Sequence, residues 1–473
     1  MIVQRRNVRK RHWLDDGSRS ETSLRVAPAA ASIADRLDRL PPSRWHRQLV
    51  TLLGVGSFFN FFELALGGFF ALLLATEWPL TLRDRSLIIG SVFAGETVGS
   101  LMLAPLADRL GRRALFQVNL LLYGGLSMVT ALAPNLAVFL IMRVLTGVGL
   151  GAELILVDTY LAELLPADHR GRYMAWSYTL GLIAAPLVGG LAKVATGTIF
   201  GVAGWRWLLV MVAFGGLVVW VARRRLPESP RWLAANGHLA QADQLVTAIE
   251  RKVHDESATS GPPSALDPAP ANHAAPTRSP LPSRYSQRKL LLWLMWVLQP
   301  IGFYGFAAIA PVVVLAKGFD LSHSLTYSAL HSVGFPLGSL ISVYLTDRVE
   351  RRRLLVAATL AVALFIVSFG FAAAPALIIA FGVATTMSLV VQSNIIHTYH
   401  AELFQTANRS TAIGLPYAAS RLVSALVPLV ALTLLTLIGP TGIYACCAVL
   451  MATMAAVIQM LGPRVNKQQL DTF

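Results

Sequence analysis

Three of the charged side chains inside long apolar segments of this sequence are its first candidates for chemistry. They are Glu63, Arg143 and Arg421, and Glu63 is the one formal charge in the apolar stretch 48–75. A charge near the centre of a lipid bilayer costs at least ~2.5–3.5 kcal/mol, so such a residue is expected to face a polar cavity or an oppositely charged partner. A carboxyl beside an arginine is an arrangement that can exchange a proton.

The positions of Glu63 and Arg143 predict that the two meet at one depth. Glu63 lies about fifteen residues from the start of its segment, or ~22 Å, and Arg143 lies about six residues into a segment of opposite direction, or ~9 Å. Together these depths approximate the ~30 Å hydrocarbon core. An apolar cavity disfavours an ionised carboxyl and an arginine favours it, so a pair that separates with conformation could load and release a proton. A fixed ion pair, or a hydrogen bond from Glu63 to a substrate, would also explain the placement.

Other polar and aromatic side chains within apolar segments are candidates for lining a substrate cavity. Buried amides need hydrogen-bond partners, and an arginine can hold a carboxylate through two parallel bonds. Contacts between neighbouring helices would satisfy these groups equally well. The substrate-binding candidates are Asn60, Phe59, Gln299, Tyr304, Gln392, Asn394 and Arg421.

Three more acids and two histidines lie in apolar segments. Glu96 fits a structural or a coupling role, and Glu153 and Asp158 are secondary candidates for coupling. His331 and His397 are more simply explained as hydrogen-bonded structural residues than as a proton relay.

Twelve apolar segments must position these residues. The chain is 55% hydrophobic and 14% charged, whereas soluble domains are nearer 25% charged, and about 20 apolar residues suffice for one membrane-spanning helix. The predicted fold is therefore an all-α membrane protein with twelve transmembrane helices in two pseudo-symmetric six-helix bundles. We number the segments spans 1 to 12: 48–75, 86–107, 114–133, 137–164, 173–195, 205–222, 290–316, 325–346, 354–373, 376–398, 410–436 and 440–461.

The basic residues are distributed unequally between the two sides of this arrangement. The formal net charge is +15. Of the 40 Lys and Arg residues, 33 fall in the two tails and in the loops that follow spans 2, 4, 6, 8 and 10, and 5 fall in the loops on the opposite side. This is the positive-inside pattern, and it predicts that both termini are cytoplasmic. Anionic lipid is a sufficient partner for the basic excess, so we expect a lipid bilayer and no nucleic acid as partner.

One long loop divides the twelve spans into two groups of six. The predicted organisation is a basic cytoplasmic tail, 1–47; a first bundle, 48–222; a central cytoplasmic loop, 223–289; a second bundle, 290–462; and a second cytoplasmic tail, 463–473. The central loop is predicted to be helical to about residue 255 and disordered beyond it, where Pro, Ala and Ser predominate.

Repeated motifs relate the two groups of spans. Asp108 to Arg113 in loop 2–3 corresponds to Asp347 to Arg352 in loop 8–9, and Glu163 to Arg170 in loop 4–5 corresponds to Glu402 to Arg409 in loop 10–11. Two such halves around a cavity at the membrane midplane are the layout of many secondary transporters. Within span 4, Gly147 and Gly151 form a GxxxG pattern, which predicts close helix packing.

Taken together, these motifs resemble the major facilitator superfamily over nearly all of 48–462. Within it, the chain resembles the sugar-porter-like metabolite:proton symporters, the branch that includes nicotinate and organic-acid carriers. Beside the loop motifs above, the resemblance rests on Arg143 with Gly147-Val148-Gly149-Leu150-Gly151-Ala152-Glu153, on Gly204-Trp205-Arg206-Trp207, on Pro227-Glu228-Ser229-Pro230-Arg231 and on Tyr304-Gly305.

The resemblance implies roles for the buried pair and for the cytoplasmic charges. Glu63 stands at the position of the protonatable acid of span 1, and Arg143 at that of its partner. The cytoplasmic charges correspond to a latch between the halves. Solvated loop charges that contribute ~0–1 kcal/mol each would give the same sequence pattern. The latch candidates are Asp108, Arg112, Glu163, Arg172, Glu228, Arg231, Asp347, Arg351, Glu402 and Arg409.

The sequence departs from the family pattern in two places. Glu350 replaces the usual glycine of the second loop motif, and span 1 has Asn60 and Glu63 where many relatives carry aspartate at both. The first departure concerns loop geometry, whereas the second concerns the coupling site itself.

The expected function is proton-coupled import of a small polar metabolite, an organic acid or related compound, by alternating access in a bacterial inner membrane. A monomer with the substrate and protons as partners suffices. A proton-antiporting exporter of drugs or metabolites on the same fold is the nearest alternative, and a non-transporting nutrient sensor is another. No enzyme activity, metal or cofactor is expected, because HExxH, GxSxG and P-loop motifs are missing from the sequence and adjacent Cys446 and Cys447 form no CxxC pair.

Overall fold

The parts of the chain that the structure describes fold almost entirely into helices. The computed structural model describes residues 33–166, 169–258, 285–346, 348–403 and 409–463. In these ranges the strands are those of a short antiparallel hairpin between spans 5 and 6, in which Thr198–Ile199 pairs with Val202–Ala203.

Eleven helical stretches in the described ranges are long and apolar enough to cross a membrane. The last, Leu415–Leu461, has 47 residues, about twice what one crossing needs. Its backbone leaves helical geometry at Gly439, with φ 69° and ψ −179°, a conformation that glycine adopts readily because it has no Cβ. Divided there, the stretch supplies two spans, and the predicted all-α fold is confirmed.

The helix bounds agree with the predicted spans to within several residues. Spans 1 to 6 are Arg44–Leu73, Leu82–Leu110, Arg112–Ala131, Leu136–Leu150 with Glu153–Leu164, Arg170–Leu182 with Ala184–Val194, and Gly204–Arg223. Spans 7 to 10 are Tyr285–Ala307 with Ala310–Ala316, Leu321–Ser332 with Gly334–Leu345, Arg351–Phe371, and Pro375–Leu403. Spans 11 and 12 form Arg409–Leu461.

Spans 5 and 8 are interrupted at equivalent places, and proline explains both interruptions. Span 5 breaks after Leu182, four residues before Pro186, and span 8 breaks after Ser332, four residues before Pro336. A proline has no N–H to donate, and its ring clashes with the carbonyl four residues earlier. The shared break reflects the pseudo-symmetry of the two halves.

Glycines bring spans 2 and 4 into backbone contact. A Cβ at Gly95 would lie 1.9 Å from the Val144 carbonyl oxygen, and one at Gly147 would lie 2.1 Å from the Val92 carbonyl oxygen. The second half has the same close approach between spans 8 and 10, because a Cβ at Gly338 would lie 2.4 Å from the Met387 carbonyl oxygen. The GxxxG pattern of span 4 thus packs span 4 against span 2.

Substituting Gly147 with alanine is expected to lower the apparent unfolding temperature of the purified protein. The new methyl group would overlap backbone atoms, which cannot move aside cheaply, and overpacking of this kind costs typically ~1–3 kcal/mol. Gly125→Ala in span 3 is the matched control, because no described atom of another helix lies within 4 Å of its ideal Cβ position. Thermal unfolding in detergent measures both, and equal shifts for the two variants would contradict the packing role.

The two halves touch at small residues. A Cβ at Gly68 in span 1 would lie 2.5 Å from the Ala308 carbonyl oxygen, and one at Gly90 in span 2 would lie 2.6 Å from the Ala425 carbonyl oxygen. These contacts lie toward the face opposite the central loop. Nearer the central loop, the hydroxyl groups of Thr179 and Ser339 are 2.8 Å apart. The interface between spans of different halves is therefore closed at these points toward both faces.

Helices outside the membrane cover the central-loop face of the first half. Pro230–Ala235 and Leu239–Ala258 form the start of the central loop. Residues 33–38 are also helical, and Arg36 binds Glu250 at 2.7 Å and Asp243 at 2.5 Å. Hydrogen bonding to Glu250 raises the pKa of Arg36 above its usual value.

Candidate functional site

Spans 1 and 4 bury an acid and a base against each other inside the first half. The Glu63 carboxylate accepts a hydrogen bond from Nη1 of Arg143, and Nη2 of the same arginine reaches the Glu63 backbone carbonyl at 3.5 Å. Both side chains are fully buried. The predicted contact is therefore present, because the two side chains approach from helices of opposite direction at the same depth.

A second acid and base meet across the interface between the halves. Nη1 of Arg421 in span 11 lies 3.4 Å from Oε2 of Glu96 in span 2, and it donates a hydrogen bond of 2.9 Å to the Tyr304 hydroxyl of span 7. The side chains of Glu96 and Arg421 are 3% and 8% exposed. The Glu96–Arg421 ion pair is therefore buried where the two halves meet.

These four residues form one row of alternating charge, which we call the four-charge row. Glu96 is within electrostatic range of Arg143 as well as of Arg421, and Arg143 is within range of both Glu63 and Glu96. The order from span 1 to span 11 is Glu63, Arg143, Glu96 and Arg421. Their formal charges cancel when all four are ionised, so the row as a whole is neutral.

Aromatic rings surround the Arg421 end of the row. The guanidinium carbon of Arg421 lies 4.7 Å from the centre of the Tyr417 ring. The centroid of Phe93 is 4.4 Å from that of Tyr304, and the centroid of Trp296 is 5.1 Å from that of Tyr417. A guanidinium among ring faces offers bidentate bonds to a carboxylate and stacking surfaces to a flat ligand.

Asp158 connects the halves at another point. Its two carboxylate oxygens each lie 3.0 Å from the Tyr178 hydroxyl, which donates to them, and Oδ2 lies 3.8 Å from Nδ1 of His397 in span 10. The imidazole of His397 also meets the edge of Trp296, with centroids 5.3 Å apart. His331 lies elsewhere, beside the ring of Phe306 in the second half.

A further buried ion pair was missed by the sequence analysis. Nη1 of Arg223 at the end of span 6 lies 2.5 Å from Oε1 of Glu153 in span 4, and both side chains are fully buried. Sequence position assigned Arg223 to the basic central loop. Gly56 of span 1 makes room for it, since a Cβ there would lie 1.8 Å from Nη2 of Arg223, and this signal becomes visible only after the helices are packed.

In the part of the chain that the structure describes, the predicted substrate ligands of span 1 make no hydrogen bond to Arg421. Asn60 is fully buried. Phe59 points toward span 6, because a Cβ at Gly215 would lie 1.8 Å from its ring. Tyr304 and Arg421 are the candidates that the structure brings together, and a substrate role for Asn60 and Phe59 remains a prediction.

The other predicted substrate ligands of spans 7 and 10 lie in the second half. Gln392 donates a 3.0 Å hydrogen bond to the Thr359 hydroxyl of span 9, inside the second half. Asn394 donates at 2.6 Å to the Ser342 hydroxyl of span 8, and Gln299 is buried in span 7. Their contact with a substrate remains a prediction.

The loop charges of the first half are connected through Arg112. It lies 2.9 Å from Asp108 and 3.1 Å from Glu163. The Glu228 carboxylate accepts hydrogen bonds from the backbone amides of Arg112 and Arg113 at 2.9 and 3.2 Å. Glu228 thus sits at the amino end of span 3, where the helix dipole favours a negative charge.

Asp38 completes this group from the segment that precedes span 1. Its Oδ1 accepts hydrogen bonds of 2.7 Å from Arg231 and from Arg170. Arg231 also donates to the Glu163 backbone carbonyl at 3.0 Å, whereas Arg172 is exposed. The described contacts therefore join the loops of the first half to one another and to Asp38.

Most of the predicted latch residues of the second half lie outside the part of the chain that the structure describes. Asp347 lies outside the described residues, and so do the side chains of Glu402 and Arg409. Arg351 is partly buried at the start of span 9, and Arg353 lies 3.1 Å from Glu350 in the same loop. A latch between the halves remains a prediction. Within the described ranges, no group of three or more His, Cys, Asp or Glu is placed to hold a metal ion.

Twelve membrane helices in two related halves, with ionisable side chains buried where the halves meet, define a transporter of the major facilitator superfamily. The sequence family agrees. The family model for sugar (and other) transporters matches residues 49–473, and the chain belongs to this family.

Individual relatives and solved structures are also similar to this chain. The chain is 31% identical to YyaJ of Bacillus subtilis, provisionally assigned to metabolite transport, over 83% of this chain and 86% of that protein. It is 25% identical to the niacin transporter NiaP of Acinetobacter baylyi, over 93% and 99%. The fold is similar to that of the proton:xylose symporter XylE of Escherichia coli, with a TM-score of 0.70 and 18% identity over 90% of this chain and 98% of that one.

Proposed function

We propose that this chain is a proton-coupled symporter that imports a small organic acid, with a flat aromatic carboxylate as the best-fitting class, by alternating access. The four-charge row is the observation that carries this proposal. It joins a fully buried acid of the first half to an arginine at the interface between the halves, so protonation at one end can change the charge available at the other.

Charge balance links the proton to the substrate. With Glu63 ionised, the two acids and two arginines of the row cancel, and Arg421 is held by Glu96. When Glu63 takes a proton, Arg143 loses its partner and attracts Glu96, so Arg421 is left with an uncompensated positive charge. A substrate carboxylate restores neutrality. Binding the proton and the anion together therefore avoids an unpaired buried charge, which is costly in a low-dielectric interior.

Movement of the halves couples this exchange to transport. Arg421, Tyr304 and Glu96 belong to spans 11, 7 and 2, so their mutual bonds change when the two halves rock against each other. A ligand shifts such an equilibrium only through its different affinity for the two conformations. Proton and carboxylate bound at opposite ends of the row supply that difference.

The surroundings of Arg421 support a flat aromatic acid rather than a sugar. The aromatic rings near the guanidinium offer stacking surfaces, and the guanidinium offers a fork for a carboxylate. NiaP is named for niacin, a pyridine carboxylic acid. XylE is named as a proton symporter, which supports the proton as driving ion.

The same proposal includes the setting of the protein. We take the membrane to be a bacterial inner membrane, with both termini in the cytoplasm, since the basic residues concentrate on that side. The four-charge row lies within one chain, so a monomer suffices for transport.

Uptake of radiolabelled nicotinate by proteoliposomes tests the proposal. With the lumen one pH unit more alkaline than the medium, nicotinate is expected to accumulate transiently about tenfold for one proton per substrate, because ~1.4 kcal/mol corresponds to a factor of ten. A protonophore is expected to abolish the accumulation. Nicotinamide, which matches nicotinate in size but has no carboxylate, is expected to show none.

Other outcomes would redirect the proposal. Equal accumulation of nicotinamide, or of D-xylose in place of nicotinate, would contradict a carboxylate as the recognised group. Accumulation only with an acidic lumen would indicate proton antiport and thus an exporter. Binding of nicotinate without any flux would favour a sensor.

A further inference from the structure

The interior of the first half contains a set of buried polar atoms that lack partners. Both amide atoms of Asn60 and of Asn119 and the hydroxyl of Tyr123 make no hydrogen bond within the described part of the chain, and all three residues are fully buried. Oε2 of Glu63 and Oε2 of Glu153 are also buried without a hydrogen-bond partner in the described ranges. The substrate site described above uses neither Asn119 nor Tyr123.

These atoms lie between the two buried ion pairs of the first half. On span 1, Gly56 faces Arg223 of one pair, and Glu63 belongs to the other pair. Asn60 lies one helical turn beyond Gly56, ~6 Å along the axis, and Glu63 lies ~4.5 Å further. The Glu153–Arg223 and Glu63–Arg143 pairs are thus separated by roughly two turns of span 1, with Asn60 in the gap.

Tyr123 occupies the same gap from the side of span 3. Its hydroxyl is within electrostatic range of Glu153, Arg223 and Glu63, which means that both ion pairs act on it. Its ring and backbone fit between spans 4 and 6, because a Cβ at Gly149 would lie 2.9 Å from the Tyr123 nitrogen and one at Gly216 would lie 3.6 Å from its ring. Asn119 precedes Tyr123 by one turn, on the same face of span 3.

Water is the simplest partner for these atoms. A buried polar group without a hydrogen bond costs about 1–3 kcal/mol, and several such groups in one place would cost a large part of the stability of a protein. Buried water molecules typically make about three hydrogen bonds to polar groups of this kind. Amide and carboxylate groups on spans 1, 3 and 4 supply that number.

We propose that a chain of bound water molecules, held by Asn60, Asn119 and Tyr123, connects the two ion pairs and carries protons from Glu63 to Glu153. This rests on the proposed function in one respect, since it takes Glu63 as the residue that binds the driving proton. Glu153 and Arg223 lie nearer to the central loop than Glu63 does. The water chain would therefore lead the proton toward the cytoplasm, separately from the substrate at Arg421.

The transfer balances as a relay. The proton leaves the Glu63 carboxyl, and each water molecule and the Tyr123 hydroxyl accepts one proton and gives up another. The last proton bonds to the Glu153 carboxylate. Glu63 ends as a carboxylate beside Arg143, Glu153 ends as a neutral acid beside Arg223, and no other group changes its charge.

Hydroxyl-radical footprinting tests for the water without any substrate. Radiolysis generates radicals from internal water as well as from bulk water, so Tyr123 is expected to be labelled although it is fully buried. Tyr160 is the matched control, because it is equally buried and its hydroxyl donates to the Pro227 carbonyl at 2.6 Å. Labelling of Tyr123 no faster than that of Tyr160 would overturn the proposal.

Substitution of the tyrosine hydroxyl tests for proton transfer. Tyr123→Phe removes one oxygen atom, and it is expected to slow gradient-driven nicotinate uptake by at least about tenfold, the lower end of what a positioned proton donor contributes. Exchange of nicotinate at equal pH is expected to be unchanged. Tyr444→Phe is the control, because Tyr444 is also buried with a hydroxyl that has no partner in the described ranges, but lies in the second half.

The outcomes separate this proposal from the proposed function. Gradient-driven uptake by Tyr123→Phe at the rate of the unchanged protein, or equal slowing in Tyr444→Phe, would overturn the relay while leaving proton coupling at Glu63 intact. If the unchanged protein carries no nicotinate but Tyr123 is labelled, the proposed function fails and the water chain stands.

Discussion

Replacing Glu63 with glutamine is expected to abolish proton-driven accumulation of nicotinate while exchange across equal concentrations continues. Glutamine has nearly the shape of the protonated acid and cannot ionise. The four-charge row would then carry a permanent excess positive charge, and Arg421 would remain available to a carboxylate in both conformations. The carrier would still bind substrate and move it, but no proton would be exchanged in the cycle.

The size of the loss in nicotinate accumulation follows from the coupling of one proton to each substrate. The accumulation ratio is expected to fall from about ten, for a gradient of one pH unit, to the equilibrium value. Removing one member of a buried ion pair can destabilise a protein by ~3–5 kcal/mol, but Glu96 lies within electrostatic range of Arg143 and can compensate its charge. Monodisperse elution of the variant would show that it folds.

A second acid provides the control for this substitution. Glu250→Gln makes the same chemical change in an ion-paired glutamate outside the membrane, where its partner is Arg36 at 2.7 Å. Accumulation by this variant is expected to match that of the unchanged protein. Undiminished accumulation by Glu63→Gln would end the coupling role of Glu63, and loss of both accumulation and exchange would indicate a fixed structural ion pair instead.

Replacing Arg421 with glutamine is expected to raise the nicotinate concentration that half-saturates exchange by about ten- to a hundredfold. A hydrogen bond to a charged group contributes ~1.5–3 kcal/mol, and each ~1.4 kcal/mol corresponds to a factor of ten. Arg421→Lys keeps the charge but loses the planar fork that matches a carboxylate, so an intermediate value is expected. Initial rates of exchange at increasing nicotinate concentration measure all three proteins.

A double substitution separates substrate binding from structure. Arg421→Gln alone leaves Glu96 as a buried charge without its nearest partner, 3.4 Å away, and this could weaken transport for structural reasons. Glu96→Gln with Arg421→Gln removes both charges. If Arg421 binds the carboxylate, the double variant is expected to remain as impaired as Arg421→Gln, whereas recovery would assign Arg421 a structural role. The deviation from additivity gives the coupling between the two residues.

The membrane spans could be predicted from the sequence because a bilayer imposes one strict rule. Every backbone amide and carbonyl in the hydrocarbon must be hydrogen-bonded internally, so an apolar run of sufficient length has to be a helix. The breaks in spans 5 and 8 follow locally too, from Pro186 and Pro336. The boundary between spans 11 and 12 at Gly439 was also predictable, since that stretch is too long for one crossing.

A contact between two side chains was predictable only where their depths in the membrane were enough to bring them together. Glu63 and Arg143 lie in spans of opposite direction at matching depth, and they meet. The Glu153–Arg223 pair eluded the same reasoning, because Arg223 is the first of three arginines after an apolar run and resembles a loop charge. Its burial depends on the space left by Gly56 on another helix.

The sequence by itself determined the number of helices, their order and the residues that must avoid lipid, because length, hydropathy and charge are local properties of a chain in a bilayer. Only the tertiary structure decided which buried charges pair, that Glu96 interacts with both Arg143 and Arg421, and that Phe59 and Gln392 contact spans 6 and 9. These features depend on how the helices rotate about their axes and how closely they pack. Rotation and packing are set by contacts between residues far apart in the sequence, which no local pattern records.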